Sequence, residues 1–242
     1  MGTGLRIAAL VVALLAGLIA FLPMRAALAM AGVDTGGAVY GPVWNARLYN
    51  TRIDTWSVDS VEAGLSPAAL LTGRVSLDWQ AIDPGIQGGG RYVQTLSGRS
   101  ELSGTRLILS PGFLAPGLSG ILAPDDIVVI QIDQARWQDG QCLSADGSVR
   151  SDALYTLGQR LDADLPPLDG TLSCEDGVLT AALAGAASDG EVRIAVTLDG
   201  RVYGWRAGVR TGDPNVEGVL RTAGFNAEDG GWMLSGNGIV QP

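Results

Sequence analysis

Histidine and lysine are both missing from this sequence of 242 residues, so all 16 basic residues are arginine. Without histidine, the chain has no Ser-His-Asp or Cys-His catalytic arrangement and no imidazole ligand for zinc. Without lysine, it has neither a P-loop lysine nor a lysine that could form a Schiff base. The formal net charge of −9 disfavours nucleic-acid binding, because proteins that bind nucleic acid present a basic face to the phosphates.

Carboxylates are the general acids and bases that remain. The closest pairs are Asp125 with Asp126 and Asp162 with Asp164, and both pairs lie near prolines. Adjacent residues of a strand point to opposite faces, so Asp125 and Asp126 make a poor catalytic pair. Acids in solvated turns are the simpler interpretation, and neither pair matches a calcium-binding loop. We predict no catalytic residue, no cofactor and no metal site, and a carboxylate-dependent hydrolase is the least favoured alternative.

One long apolar segment, Ile7–Met24, has 18 residues and no charge. A helix of this length just spans the hydrocarbon core of a bilayer, which is about 30 Å thick. Arg6 and the terminal amine precede the segment and Arg25 follows it, so the positive-inside rule weakly favours a cytoplasmic N-terminus. We predict a signal-anchor over residues 1–31 and an exported domain over residues 32–242.

A cleaved signal peptide is the alternative to an anchor. Ala27-Leu28-Ala29 and Ala29-Met30-Ala31 both have the small-x-small form that a signal peptidase requires. Against cleavage, the apolar segment is long for a signal peptide and Arg25 interrupts the approach to the cleavage site. Both interpretations export the rest of the chain.

The chain has two cysteines, Cys142 and Cys174. In an exported protein such a pair usually forms a disulfide, so we predict that these two residues are bonded. Two separate buried thiols are the alternative. Two cysteines are too few for a four-thiolate metal site.

The C-terminal half of the chain is rich in turn signals. Glycine occurs 35 times in the chain. Asp-Gly supplies the positive φ angles of a two-residue hairpin turn, so this density predicts a meander of short antiparallel strands. The seven Asp-Gly dipeptides begin at Asp139, Asp146, Asp169, Asp176, Asp189, Asp199 and Asp229. Helices are predicted at Ser66–Leu71 and Ser151–Leu161, and no linker divides the exported part.

The clearest hairpin runs from Val192 to Val209, with the turn at Asp199-Gly200. This register places Val196 opposite Tyr203 and Ile194 opposite Trp205 on one side of the sheet. It also sets Arg193 opposite Arg206, which is unfavourable unless a bulge shifts them, solvent separates them, or an anion or carboxylate lies between them. A bulge or solvent is the favoured explanation. The apolar side of this hairpin is the candidate contact face, formed by Ile194, Val196, Tyr203 and Trp205.

Several segments, taken in order, resemble the type II secretion system protein N family. They are Tyr40–Leu48 with a Gly-x-x-Trp entry, Leu65–Arg74 with Ser-Pro-x-x-Leu-Leu-x-Gly, Ala135–Cys142, Leu168–Gly177, Leu198–Tyr203 and Trp232–Gly238. The resemblance covers the chain from the apolar segment to about residue 238 and includes the two spaced cysteines.

The resemblance implies a non-enzymatic component of the machinery that exports folded proteins across the outer membrane. The expected location is the inner membrane, with one transmembrane helix and the C-terminal domain in the periplasm, and the expected partners are other secretion-system proteins. At fold level the family resembles AsmA-like envelope proteins, which implies an elongated, curved antiparallel sheet or sandwich. A lipid-binding or lipid-transfer groove is therefore the alternative function, although a shared fold does not transfer function.

Overall fold

The computed structural model describes residues 20–30, 32–53, 56–110, 126–188, 190–200, 202–228 and 230–239, and also Gly17. Within these ranges, fourteen strands form one antiparallel sheet. The strands are β1 Ala38–Tyr40, β2 Ala46–Ile53, β3 Trp56–Leu65, β4 Arg74–Ile82, β5 Ile86–Thr95, β6 Arg99–Leu109, β7 Val128–Gln138, β8 Gln141–Ser151, β9 Leu168–Glu175, β10 Val178–Ala187, β11 Gly190–Asp199, β12 Val202–Arg210, β13 Asn226–Glu228 and β14 Gly231–Ile239. The helices are α1 Met24–Met30, α2 Pro67–Leu71, α3 Ala153–Leu161 and α4 Pro214–Thr222.

The strands follow one another across the sheet in chain order, except that β14 lies between β12 and β13. Every pairing is antiparallel, so the prediction of a mainly β meander is confirmed. The predicted short helices are present as α2 and α3.

The sheet has one apolar face. Residues that are directly paired in an antiparallel ladder point to the same side, so a row of pairs can be followed from strand to strand. One such row contains only apolar residues and glycine: Val39, Leu48, Val61, Ala81, Gly88, Leu107, Ile130, Val149, Gly170, Leu183, Ile194, Ala207 and Leu234. The apolar face is therefore continuous from β1 to β14.

The adjacent row lies on the opposite, polar face. It contains Arg47, Glu62, Gln80, Gly89, Arg106, Gln131, Ser148, Thr171, Ala182, Ala195, Arg206 and Ser235. The alternation of the two rows is the period-two pattern of strands that bury one face.

Helices cover the apolar face at its two ends. At the N-terminal end, Met24 of α1 packs with Val43, Ala46 and Leu48. At the C-terminal end, Val216 and Leu220 of α4 join a larger cluster that includes Ile132, Val149, Leu168, Leu172, Leu183, Val192 and Val209. Between them, Leu77, Trp79, Tyr92 and Leu107 are half-buried.

Helix α4 was not predicted, although its start has a clear sequence signal. Asp213 caps the helix by accepting hydrogen bonds from the N–H groups of Asn215 (2.7 Å) and Val216 (3.2 Å). Pro214 occupies the first helical turn, where its missing N–H costs nothing. Val216 and Leu220 lie four residues apart on one side of the helix, and both are buried against the sheet.

The seven predicted Asp-Gly turns have different outcomes. Asp139-Gly140 and Asp176-Gly177 form two-residue turns in which both φ angles are positive. The prediction is wrong for Asp146 and Asp169, which lie within β8 and β9. The turn predicted at Asp199-Gly200 begins one residue later, because Asp199 still pairs with Val202. Asp189 and Asp229 lie outside the described residues.

The shifted turn corrects the predicted register of the β11–β12 hairpin. Val196 pairs with Trp205, and Leu198 pairs with Tyr203. Arg193 therefore lies opposite Gly208, so the prediction that it lies opposite Arg206 is wrong. Moving the turn by one residue changes each pairing partner by two positions, which keeps every side chain on its original side of the sheet. The four residues of the candidate contact face therefore still share the apolar face.

The predicted membrane anchor, Ile7–Met24, lies largely outside the described residues. In the ranges that the structure covers, no helix combines the length and the apolar character needed to cross a bilayer.

Candidate interaction surfaces

Two of the four carboxylates that were considered for catalysis, Asp126 and Asp164, have structural contacts. Asp126 is not a solvated turn acid as predicted: its side chain is buried and lies 3.7 Å from Nη2 of Arg160. Asp164 accepts hydrogen bonds from the N–H (3.2 Å) and the hydroxyl (2.8 Å) of Ser188. Asp162 ends α3 in the left-handed conformation, and Asp125 lies outside the described residues. Among the described residues, no group of three acids or cysteines is placed to hold a metal ion.

The predicted disulfide joins Cys142 of β8 to Cys174 of β9, with the two Cα atoms 5.6 Å apart. The ladder between β8 and β9 contains four pairs, from Ser148 to Ser151 on the β8 side. The disulfide lies beyond that ladder, near the Asp176-Gly177 turn, where the N–H of Cys142 donates to the carbonyl of Gly177 (2.7 Å). β8 and β9 therefore form their ladder at one end of the two strands, and the disulfide links the strands at the other end.

The candidate contact face continues the apolar face beyond the helix-covered cluster. Ile194 packs against that cluster, and Val196 and Trp205 are half-buried in the next pair. Tyr203 lies one pair further out and is 39% exposed. The face thus changes from buried to accessible within three steps of the ladder.

The rings of Trp205 and Tyr203 extend over the neighbouring strand β14. Gly236 pairs with Trp205, and a Cβ atom at Gly236 would lie 2.8 Å from Nε1 of that ring. Gly238 pairs with Tyr203 and is covered by its phenol ring in the same way. Any larger residue at these two glycines would displace an aromatic ring. The glycines therefore leave the space on β14 that the two rings occupy.

The polar face has ion pairs between neighbouring strands. They are Arg47–Glu62 (2.9 Å), Arg91–Asp78 (2.7 Å), Arg136–Glu101 (3.3 Å), Arg150–Asp169 (2.6 Å) and Arg210–Glu191 (3.4 Å), and Glu191 also binds Arg193 (2.6 Å) on its own strand. The hydrogen bonds from Arg91 and Arg150 to their aspartates, and then the charges of those aspartates, raise the pKa of both guanidinium groups. All of these arginines are more than half exposed, so solvent screens the pairs and the polar face is a hydrated surface.

A groove of about 780 Å³ lies over β9–β14 and is lined largely by residues of the polar face. Its small residues include Ala182, Ala184, Ala195 and Gly208, and the longer side chains beside them include Arg193, Arg206 and Met233. Arg206 is exposed and forms no ion pair with a described residue.

The last strands leave one edge of the sheet open. β13 has three residues and pairs with Gly231–Met233 of β14. The rest of β14, Leu234–Ile239, has β12 on one side and no described strand on the other, and we call this segment the open edge. It contains no charged residue and no proline.

The first edge of the sheet is better protected. β1 pairs with Arg47–Tyr49, and further along β2 the N–H of Arg52 donates to the carbonyl of Thr35 (2.9 Å). Pro23 and Pro42 form an isolated bridge nearby. Proline cannot donate a backbone hydrogen bond, so this end is a poor template for an additional strand.

Comparison with known proteins identifies the family. Neither a curated protein nor a solved structure matches the chain. The family model described as type II secretion system (T2SS), protein N, matches residues 31–235, which is most of the chain. The matched part includes both cysteines, strands β1 to β13 and β14 as far as Ser235. The chain therefore belongs to the type II secretion system protein N family and acts in type II secretion.

Proposed function

We propose that this protein is a non-enzymatic, inner-membrane-anchored component of the type II secretion system that helps to export folded proteins through contacts with other components. Residues 1–31 are the anchor, and residues 32–242 form a periplasmic domain. The observation that carries the proposal is the candidate contact face, because an apolar surface that continues a buried core into solvent is typical of a protein-binding site.

The last residues of the apolar segment pack against the exported domain, which supports an anchor that is retained. Met24 is 7% exposed, and its N–H donates to the carbonyl of Gly41 (3.0 Å). The N–H of Val43 donates to the carbonyl of Leu22 (2.9 Å), and Nε1 of Trp44 donates to the carbonyl of Ala20 (3.1 Å). Cleavage after residue 29 or 31 would remove this segment from the N-terminal cluster, so the fold itself favours an uncleaved chain that is held close to the membrane.

The experiment that tests the function is a deletion combined with photo-crosslinking in living cells. Deletion of the gene is expected to reduce secretion, and intact secretion would overturn the proposal. A photoreactive residue at Trp205, on the candidate contact face, is expected to form adducts with other secretion-system proteins. The matched control is Thr197, which is exposed on the polar side of the neighbouring strand β11 and is expected to form few adducts.

A lipid-binding groove is the second candidate function, and one observation favours it. Leu77, Trp79, Tyr92 and Leu107 on the central strands belong to neither helix-covered cluster, yet they lie on the same continuous apolar face. Such a surface could hold an acyl chain. Mass spectrometry of lipid that copurifies with the full chain tests this function: a stoichiometric phospholipid or lipopolysaccharide that is lost in Leu107→Arg supports it, and a lipid-free protein contradicts it.

A further inference from the structure

We propose that the open edge, Leu234–Ile239, accepts an extended strand of another secretion-system protein, and that Arg206 selects a strand with an acidic residue opposite Ser235. This inference rests on the proposed function, because it states where and by what chemistry a partner binds. The occupant is a segment with apolar residues at alternate positions on one side and an acid on the other side.

The backbone of the open edge is suited to strand addition. An edge strand presents N–H and C=O groups that are free to pair, and proteins usually block such edges with charges, prolines, bulges or very short strands. Here the three residues of β13 block only the first part of β14, and Leu234–Ile239 carries none of these devices. Main-chain hydrogen bonds along this segment would provide affinity that does not depend on sequence.

The apolar side of the open edge provides a platform for alternate side chains. Gly236 and Gly238 have no side chains of their own, and the rings of Trp205 and Tyr203 occupy the space above them. A strand added to β14 would lie about 4.8 Å further out. Its side chains on this face would then contact the edges of the two rings, which favours apolar residues two positions apart.

The polar side of the open edge supplies charge selectivity. Arg206 lies directly opposite Ser235, and Ser235 is small and exposed. An added strand would lie about 10 Å from β12, or two strand spacings, a distance that an arginine and an acidic side chain can bridge together. Six other arginines of the polar face are paired with acids, and Arg206 has no such pair with a described residue. An acid on the partner strand would give Arg206 the kind of partner that these six arginines have.

A second copy of this chain is a less suitable occupant. Pairing β14 with β14 about a two-fold axis would bring a second Arg206 to the same polar face and would supply no acid for either one, because Leu234–Ile239 is uncharged. The charge pattern therefore favours a different protein.

The test places a photoreactive residue at Asn237, which is exposed on the polar side of the open edge. The control position is Ser148, which is exposed on the same face but lies between two paired strands. We expect adducts at Asn237 and not at Ser148 when the full chain is crosslinked in cells with an intact secretion system. Mass spectrometry should map them to a segment with alternate apolar residues and an intervening acid.

Charge reversal then separates strand addition from chance proximity. Arg206→Glu is expected to lower the yield of the Asn237 adduct about fivefold, as loss of an exposed ion pair would. Arg106→Glu is the matched control, because Arg106 is exposed in the same row and also lacks an ion pair with a described residue. Replacing the acid of the mapped segment by arginine should restore the adduct with Arg206→Glu. An unchanged thermal unfolding curve shows that the Arg206→Glu protein is folded.

Several results would overturn the inference. They are adducts that map to a second copy of this chain, adducts to a segment without the alternating pattern, and an adduct yield that Arg206→Glu does not change. Absence of adducts at Asn237 in cells where the deletion abolishes secretion would reject the open edge and leave the proposed function standing. Normal secretion in the deletion strain would instead reject the proposed function.

Discussion

Removal of the disulfide is expected to destabilise the protein by an amount that follows from the chain. Cys142 and Cys174 are separated by 32 positions. In the chain-entropy model, crosslinking a loop of this length lowers the entropy of the unfolded chain and stabilises the fold by roughly 3.7 kcal/mol. The structure adds a reason to expect the full effect: β8 and β9 pair over four residues at one end, and the disulfide holds the other.

The double variant Cys142→Ala with Cys174→Ala is the suitable perturbation, because alanine leaves no unpaired hydroxyl in the partly buried site. For a chain of 242 residues, about 3.7 kcal/mol corresponds to a fall in Tm of roughly 7–15 °C. Urea unfolding of the full chain in detergent, followed by circular dichroism, measures the free energy directly.

Reducing agent provides the control for the disulfide experiment. Reduced wild-type protein should unfold at nearly the same urea concentration as the double variant, since both lack the crosslink. The reasoning would be refuted by a double variant that stays within about 1 kcal/mol of the oxidised wild type, well below the loop-entropy value. It would also be refuted by a difference that persists in reducing buffer, because the loss would then come from packing.

Three further predictions concern backbone packing, a helix cap and the anchor. Gly90→Ala is expected to lower the free energy of unfolding by about 2 kcal/mol in urea titration, because its Cβ would collide with the side chain of the neighbouring strand's Thr105. Gly218→Ala, in an open position of α4, is expected to raise the free energy of unfolding by about 0.5–1 kcal/mol. Equal effects of Gly90→Ala and Gly218→Ala would contradict the close packing at Gly90. Asp213→Ala removes two hydrogen bonds from the start of α4 and should cost about 1 kcal/mol by the same assay; no loss would mean that the cap is dispensable. Intact mass spectrometry of protein extracted from membranes should find the full 25.0 kDa chain, whereas a mass beginning after residue 29 or 31 would reject the retained anchor.

Local signals in the sequence predicted the parts of the fold that depend on local chemistry. Asp176-Gly177 forms the predicted turn because both residues can adopt positive φ. Helix α3 follows the apolar spacing of Ser151–Leu161 and ends where Asp162 enters the left-handed region. The assignment of Ile194 and Trp205 to one side of the sheet was also correct, since the period-two pattern does not depend on the exact turn.

The predictions that were wrong concern choices between equivalent local signals. Asp146-Gly147 and Asp199-Gly200 have the same turn chemistry, yet the first continues a strand and the second begins its turn one residue late. Pairing with both neighbouring strands decides such cases, and a single sequence does not contain that information. The burial of Asp126 beside Arg160 of α3 is likewise a tertiary contact between distant segments.

The open edge could not be predicted because it depends on the order of the last two strands. The sequence predicts hairpins between neighbours, but β14 pairs with β12 and leaves β13 outside it. The glycines of Ser235–Gly238 look like a turn when they are considered alone. The structural role of the glycines is visible only once the pairing of β14 with β12 is known, since Gly236 and Gly238 lie under the rings of Trp205 and Tyr203.

The position of the interaction surfaces follows from how a single-sheet meander completes its hydrogen bonds. Every internal strand has neighbours on both sides, and its apolar side chains can be covered by helices such as α1 and α4. Among the described strands, the last long strand, β14, has only one full neighbour, β12, and the helix-covered cluster ends before Trp205 is reached. In the part of the chain that the structure describes, free backbone groups, uncovered aromatic rings and an Arg206 without an ion pair therefore coincide at the same corner of the sheet. Because a protein that never bound a partner would be expected to protect such an edge with charges or proline, this coincidence is best explained by a partner strand that completes the sheet.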